Sequence, residues 1–188
     1  MKGKMLMKKE KGRYGYLHYK KVYQLVMTLI CLLAVLAVMT GGYLYYKTFS
    51  NVFTVMAVVI VIPAAKFGVG YIVLIPYKSP LNELYKEIAD GNYKLLSELV
   101  ITSSEKIMGV DFAAVKDKRA YCFVTHKKTN PQEIQKYLKE ILNSEFDGVA
   151  VKVFTDFDKY KTALKELTGL KDDVRDKRIA EILCIYSM

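Results

Sequence analysis

The chain has 188 residues, 52% of them hydrophobic, and three cysteines. It is too apolar for an ordinary soluble domain of this length, and Cys31, Cys122 and Cys184, with no C-x-x-C spacing, exclude a disulfide scaffold and a paired-cysteine metal knuckle. The net charge of +10 invites a nucleic-acid reading, but residues 1–21 carry eight basic side chains against Glu10 alone, whereas residues 78–188 hold 19 basic and 18 acidic groups. A domain at +1 has no bulk attraction for phosphate.

Residues 1–21 form a basic tail. Val22 to Tyr46 follow with 25 residues and no charge, bracketed by Lys21 and Lys47. That is enough to cross a hydrocarbon core of about 30 Å as a helix. A cleaved signal peptide is the competing reading, but the charged lead and the apolar run are both too long and no A-x-A-like site follows. The second apolar stretch, Val52–Tyr77, carries one charge, Lys66, together with Pro63, Pro76, Gly68 and Gly70. A mid-membrane lysine costs about 2.5 to 3.5 kcal/mol on insertion scales, which the Val and Ile residues around it offset. Lys66 marks either a polar contact within a bundle or a side chain that snorkels to the nearer leaflet. Ala64-x-x-x-Gly68 permits close helix approach and so a homo-oligomer.

The amino tail is far more basic than the loop at Lys47 to Asn51, so both termini are expected in the cytoplasm of a two-span protein of the cell membrane. Tyr14, Tyr16, Tyr19 and Tyr23 beside the basic tail, and Tyr43, Tyr45, Tyr46 and Tyr77 at the other ends of the spans, suit interfacial aromatic belts. The tail is expected to meet anionic lipid head groups. Reduced thiols fit a reducing cytoplasm.

Residues 78–188 read as one α/β domain. Ser79-Pro80 offers a cap and a first-turn proline ahead of Leu81, Leu84, Tyr85 and Ile88, a helix ending near Gly91. Leu95–Thr102, Ile107–Lys116 and Arg119–Thr125 are β-branched and aromatic, with turns at Ser103-Ser104-Glu105 and Lys116-Asp117-Lys118, so they read as three consecutive strands. Asn130-Pro131-Gln132-Glu133 caps a helix with Ile134, Tyr137, Leu138, Ile141 and Leu142 on one face. Asp147-Gly148 turns into a strand at Val149–Thr155. Asp156 opens a helix that stops near Gly169, and Asp172–Tyr186 is a last amphipathic segment. The order αβββαβα implies a mixed four-stranded sheet with helices on its faces.

The chain lacks G-x-x-x-x-G-K, G-x-G-x-x-G and G-x-S-x-G, and its histidines are His18 and His126 alone. A nucleotide hydrolase, a zinc protein or a Ser-His-Asp site therefore has little to build with. One constellation stands out: Gly109-Val110-Asp111-Phe112-Ala113-Ala114-Val115, a basic turn, then Tyr121-Cys122-Phe123-Val124-Thr125-His126-Lys127. It resembles the metal-site hairpin of the PD-(D/E)XK, or restriction-endonuclease-like, superfamily, with Mrr-like members the nearest in appearance. Val153-Phe154-Thr155-Asp156-Phe157 before a helix resembles the strand end that follows in Mrr-like domains.

The resemblance spans Leu81 to Leu167 and rests more on topology than on motif. It implies that Asp111 holds a divalent metal such as Mg2+ and that Lys127 positions the attacking water, with Glu83 or Glu87 of the first helix contributing. Thr125 stands where the family has a second acid, and a neutral hydroxyl is a weak ligand for a hard cation. Asp111 as a turn-proximal ion-pair partner and Lys127 as a solvated lysine are the structural alternative. Lys116, Lys118, Arg119, Lys127 and Lys128 lie at the ends of neighbouring strands and form either one nucleic-acid patch or a solvated hairpin edge. The expectation is a membrane-anchored domain of nuclease-like fold acting in binding or assembly, with a protein partner and no catalytic cofactor. The alternative is a membrane-tethered, metal-dependent nuclease.

Overall fold

The computed structural model describes residues 10–48, 52–103, 106–125, 130–146, 148–170 and 173–188. The chain divides into two units: His18–Pro76, and the residues up to Leu17 together with Tyr77–Met188.

The first unit is a helical hairpin of α1 (Tyr16–Tyr46) and α2 (Val52–Leu74). At 1.5 Å per residue they are roughly 46 and 34 Å long, and either is long and apolar enough to cross a membrane. Pro63 sits inside α2 without ending it. Ala57, Ala64, Gly70 and Leu74 are the buried positions of α2. Side chains of α1 fill the room that the glycines leave: the amide of Gln24, itself buried, lies directly over Gly70, and Thr28 Cγ2 is 3.7 Å from where a Cβ on Gly68 would stand. Lys21 Nζ donates to Ile75 O at 3.4 Å, a cation at the carboxyl end of α2. Leu33, Leu36, Val55, Val58, Ile62 and Ile72 remain exposed.

The second unit is a three-layer α/β/α domain. Helix α3 (Asn82–Ile88) leads into β1 (Lys94–Thr102), β2 (Ile107–Lys116) and β3 (Arg119–Phe123); then come α4 (Pro131–Glu145), β4 (Ala150–Phe154), α5 (Phe157–Thr168) and α6 (Val174–Ile185). The sheet order is β1-β2-β3-β4, antiparallel through β3, with β4 parallel to β3. The mixed sheet expected from the element order is therefore present. One face buries aliphatic residues such as Leu99, Ile101, Val110 and Val115 under α4 and α6. The other is aromatic, with Phe112, Tyr121 and Phe123 under Ile88 of α3 and Tyr160 and Leu164 of α5.

Helix starts follow their caps. Asn130 accepts from Gln132 N at 3.0 Å ahead of Pro131, Asp156 accepts from Asp158 N at 3.0 Å, and Asp173 with Asp176 forms a capping box. Ser79 does not cap α3. Its N-cap is Leu81, with no side-chain cap, since the first helical bond runs from Tyr85 N to Leu81 O; the carbonyl of Pro80 accepts the hydroxyl of Tyr14 at 2.8 Å. Glu105, Ser104, Asp147 and Asp172, which the sequence assigns to turns and a helix start, lie outside the described residues.

Two features bear on the site. Leu96 and Leu99, three residues apart, face the same core, as do Val110 and Ala113, where strict alternation would separate them. Each strand thus carries one residue out of the pleat. The ladder pairs Ser97 with Phe112 and Leu99 with Val110, skipping the step between Glu98, whose φ is 57°, and Asp111. The outer edge of β1 is also covered. Ser97 N donates to Gly12 O and Met188 N to Val100 O, both at 2.8 Å, so the two chain ends occupy backbone groups that an edge strand leaves open.

Candidate functional site

The end of β3 brings two of the expected residues together. Oδ2 of Asp111, half-buried on β2, accepts the backbone N–H of Thr125 at 2.5 Å. Phe112 pairs with Phe123, so Asp111 and Thr125 lie just beyond the last rung of the β2–β3 ladder. Lys127, expected to complete the motif, lies outside the described residues, as do His126 and Lys128. Glu87 on α3 pairs instead with Lys161 of α5 at 2.5 Å, and Glu83 is exposed on the same helix.

Among the described residues, Lys116, Lys118 and Arg119 do not gather around Asp111. Lys116 is 1% exposed, its ammonium donating to Asn92 O at 2.6 Å, so it serves the interior of the fold. Lys118 and Arg119 are half-buried at the β2–β3 turn. Arg119 and Thr125 are six residues apart along an extended segment, roughly 20 Å at 3.3 Å per residue. Lys118 and Arg119 therefore stand at the opposite end of the hairpin from Asp111. Asp176 of α6 holds that turn, its two carboxylate oxygens accepting from Asp117 N at 3.1 Å and Lys118 N at 3.3 Å. Lys66 is exposed on α2.

The structure adds an acid that the sequence reading passed over. Glu98 is 5% exposed and stands opposite Asp111 at the skipped ladder step. Its Oε2 accepts the N–H of Leu17, in the first turn of α1, at 2.7 Å, while no hydrogen-bond partner reaches Oε1. A carboxylate at a helix amino terminus is favourably placed against the helix dipole. One signal was available: Ser97-Glu98 is the polar interruption of an otherwise apolar strand. Burial, and after it the nearby Glu98 carboxylate, raises the pKa of the Tyr14 phenol. On the aromatic face, burial drives the Tyr160 hydroxyl well above its ordinary range, with Cys122 and Tyr93 adding to it. Burial alone pushes the Cys122 thiol up to about 12, which leaves it protonated and unreactive.

A divalent cation, as the family resemblance implies, is poorly served by these donors. Asp111 offers a carboxylate already engaged by an amide, Thr125 only a neutral hydroxyl, and Glu87 is committed to Lys161. Among the described residues, no three His, Cys, Asp or Glu side chains gather to share a metal ion. Beside α4 runs an open groove of about 630 Å³, lined by the Lys106–Glu133 ion pair, Tyr137 and Glu140 over Met108 and Ile141. Compared with known proteins, the chain matches no family model, no curated protein and no solved structure.

Proposed function

We propose that α1 and α2 anchor the chain in the cell membrane as a two-span hairpin with both termini in the cytoplasm, and that the α/β domain, restriction-endonuclease-like in architecture, serves binding or assembly there. The observation that carries the anchor is exposure. Only 11% of the most apolar window of either helix is buried, where the core helix of a soluble protein would be mostly covered. Two neighbouring helices with that much uncovered Leu, Ile and Val are compatible with lipid and not with water. Orientation rests on the eight basic residues before Val22.

The endonuclease-like reading rests on the order αβββαβ, followed here by the two helices α5 and α6, and on the meeting of Asp111 with Thr125. The non-catalytic reading rests on the neutral residue at 125 and on the separation of Lys118 and Arg119 from Asp111. Alkaline carbonate extraction of membranes, with accessibility of tags at both termini, tests the anchor. Release into the soluble fraction, or a terminus reachable from outside, overturns it. Calorimetry of the full chain in detergent with Mg2+ and Mn2+ tests the role. Metal binding that Asp111→Ala abolishes would replace the binding role with a metal-dependent nuclease.

A further inference from the structure

We infer that residues 10–17 form a strap by which the start of α1 positions the Glu98–Asp111 step of the sheet. The strap is held along its length. Lys11 Nζ donates to Ser187 O at 2.8 Å, Gly12 O accepts from Ser97 N at 2.8 Å, and Tyr14 donates to Pro80 O at 2.8 Å while its ring stacks on Tyr85 at 4.7 Å. Leu17 is 3% exposed and its N–H reaches Glu98. Gly12, at φ 80°, is fitted closely: a Cβ there would stand 2.8 Å from Leu96 Cδ2.

Glu98 is where this docking has an effect. Its left-handed backbone costs on the order of 1 kcal/mol or more, and such strain persists only where surrounding contacts enforce it. Its carboxylate is buried, and the Leu17 amide is the donor to its Oε2, while Oε1 has none. Losing that donor would strand a buried carboxylate, a penalty larger than the strain itself, so Glu98 must swing out when the strap lifts. Asp111 faces Glu98 across the skipped step and holds the Thr125 amide on its other side. Movement at Glu98 thus passes to the segment in which the endonuclease resemblance places its motif. The inference deepens the anchor reading, since a membrane-held α1 is what would load the strap. The test reads the strap itself and so can fail independently of the anchor.

The experiment uses the full chain in detergent, with Cys31→Ser so that Cys184 is the accessible thiol. Gly12→Cys would put a Cβ 3.1 Å from Cys184 Sγ, within disulfide reach. Mild oxidation is expected to give an intramolecular cross-link and to slow amide exchange over residues 108–125 at least threefold against the reduced form. Leu17→Pro removes the N–H at a first-turn position that tolerates proline, whereas Leu17→Ala removes the side chain and keeps the N–H. The proline variant is expected to speed exchange at Thr125 at least tenfold, and the alanine variant by far less. Failure to cross-link in a Gly12→Cys chain that keeps the unfolding midpoint of the unsubstituted chain, and so has absorbed the added Cβ, overturns the strap, and equal effects of the two Leu17 variants overturn its action through Glu98. Should the proline variant not fold, the oxidised and reduced G12C forms decide: identical exchange over 108–125 overturns the coupling.

Discussion

Single residues inside the α/β domain are committed to structure in ways that their sequence neighbourhood hides. Asp176 is the clearest. It is 5% exposed and accepts from the amides of Asp117, Lys118 and Asp173, so it ties α6 to a turn whose two central residues both have positive φ. Asp176→Ala leaves those amides without their acceptor and is expected to cost about 1 to 3 kcal/mol, readable as a lower urea midpoint. Asp176→Asn should recover part of it, since one carbonyl oxygen still accepts.

The buried ionisable groups give a second expectation at this scale. Burial raises Cys122 from 9.0 to about 12, and burial with Asp90 beside it raises Tyr93 from 10.0 to about 12. Tyr160 moves in the same direction. Each is neutral in the folded domain at a pH where the unfolded chain already ionises. The folded state therefore holds more protons, and stability falls as pH rises. The loss begins near pH 9, the unfolded value of the thiol, and continues toward pH 12 at up to about 1.4 kcal/mol per pH unit for Cys122. Thermal unfolding of the full chain in detergent at pH 8, 9, 10 and 11 should show a flat start and then a steady decline. A flat profile throughout would mean that these groups are not buried as described.

At the scale of elements, the periodic and capped segments were legible. Asn130-Pro131 named the start of α4 and the β-branched runs named β1 to β3, because cap chemistry and pleat alternation are written locally. The failures were of a different kind. Gly12-Arg13-Tyr14-Gly15 has no period and read as tail; its place is set by a strand edge more than 80 residues away, which no local pattern encodes. The kink at Glu98 was hidden for a similar reason, since it shows only where two strands are paired. Of the basic cluster, Lys116 serves the interior of the fold, because nothing local marks which lysine a carbonyl such as that of Asn92 will hold. Gly109 shows how tertiary packing sets a residue that reads locally as a strand interruption. A Cβ there would stand 2.6 Å from the ring of Tyr77, whose hydroxyl donates to Ile107 O at 2.7 Å. Gly109→Val is expected to cost about 1 to 3 kcal/mol by displacing that ring. With Tyr77→Ala already in place the penalty should largely disappear. Additive costs in the double-mutant cycle would show that the glycine is needed for its backbone rather than for the ring.

For the molecule as a whole, composition alone located the hairpin, whereas the soluble unit is discontinuous in sequence: residues up to Leu17 join Tyr77–Met188 around the intervening His18–Pro76. The consequence is specific. A fragment starting at Lys78 lacks the carbonyl of Gly12 on Ser97, the Tyr14 ring on Tyr85 and the amide of Leu17 on Glu98. It would expose part of the β1 edge and leave the Glu98 carboxylate without its amide donor. An uncovered strand edge is a template for pairing with another copy. The fragment 78–188 should therefore self-associate or precipitate at micromolar concentration. A version in which residues 8–19 are joined to residue 77 through a flexible linker should stay monomeric, with a higher unfolding midpoint. Light scattering and urea unfolding of the two distinguish the outcomes. A monomeric, equally stable 78–188 fragment would mean that the first residues lie on a domain complete without them. Dependence on residues 8–19 would mean that the domain cannot finish folding apart from the chain that leads into α1, because the edge of its sheet is completed from there.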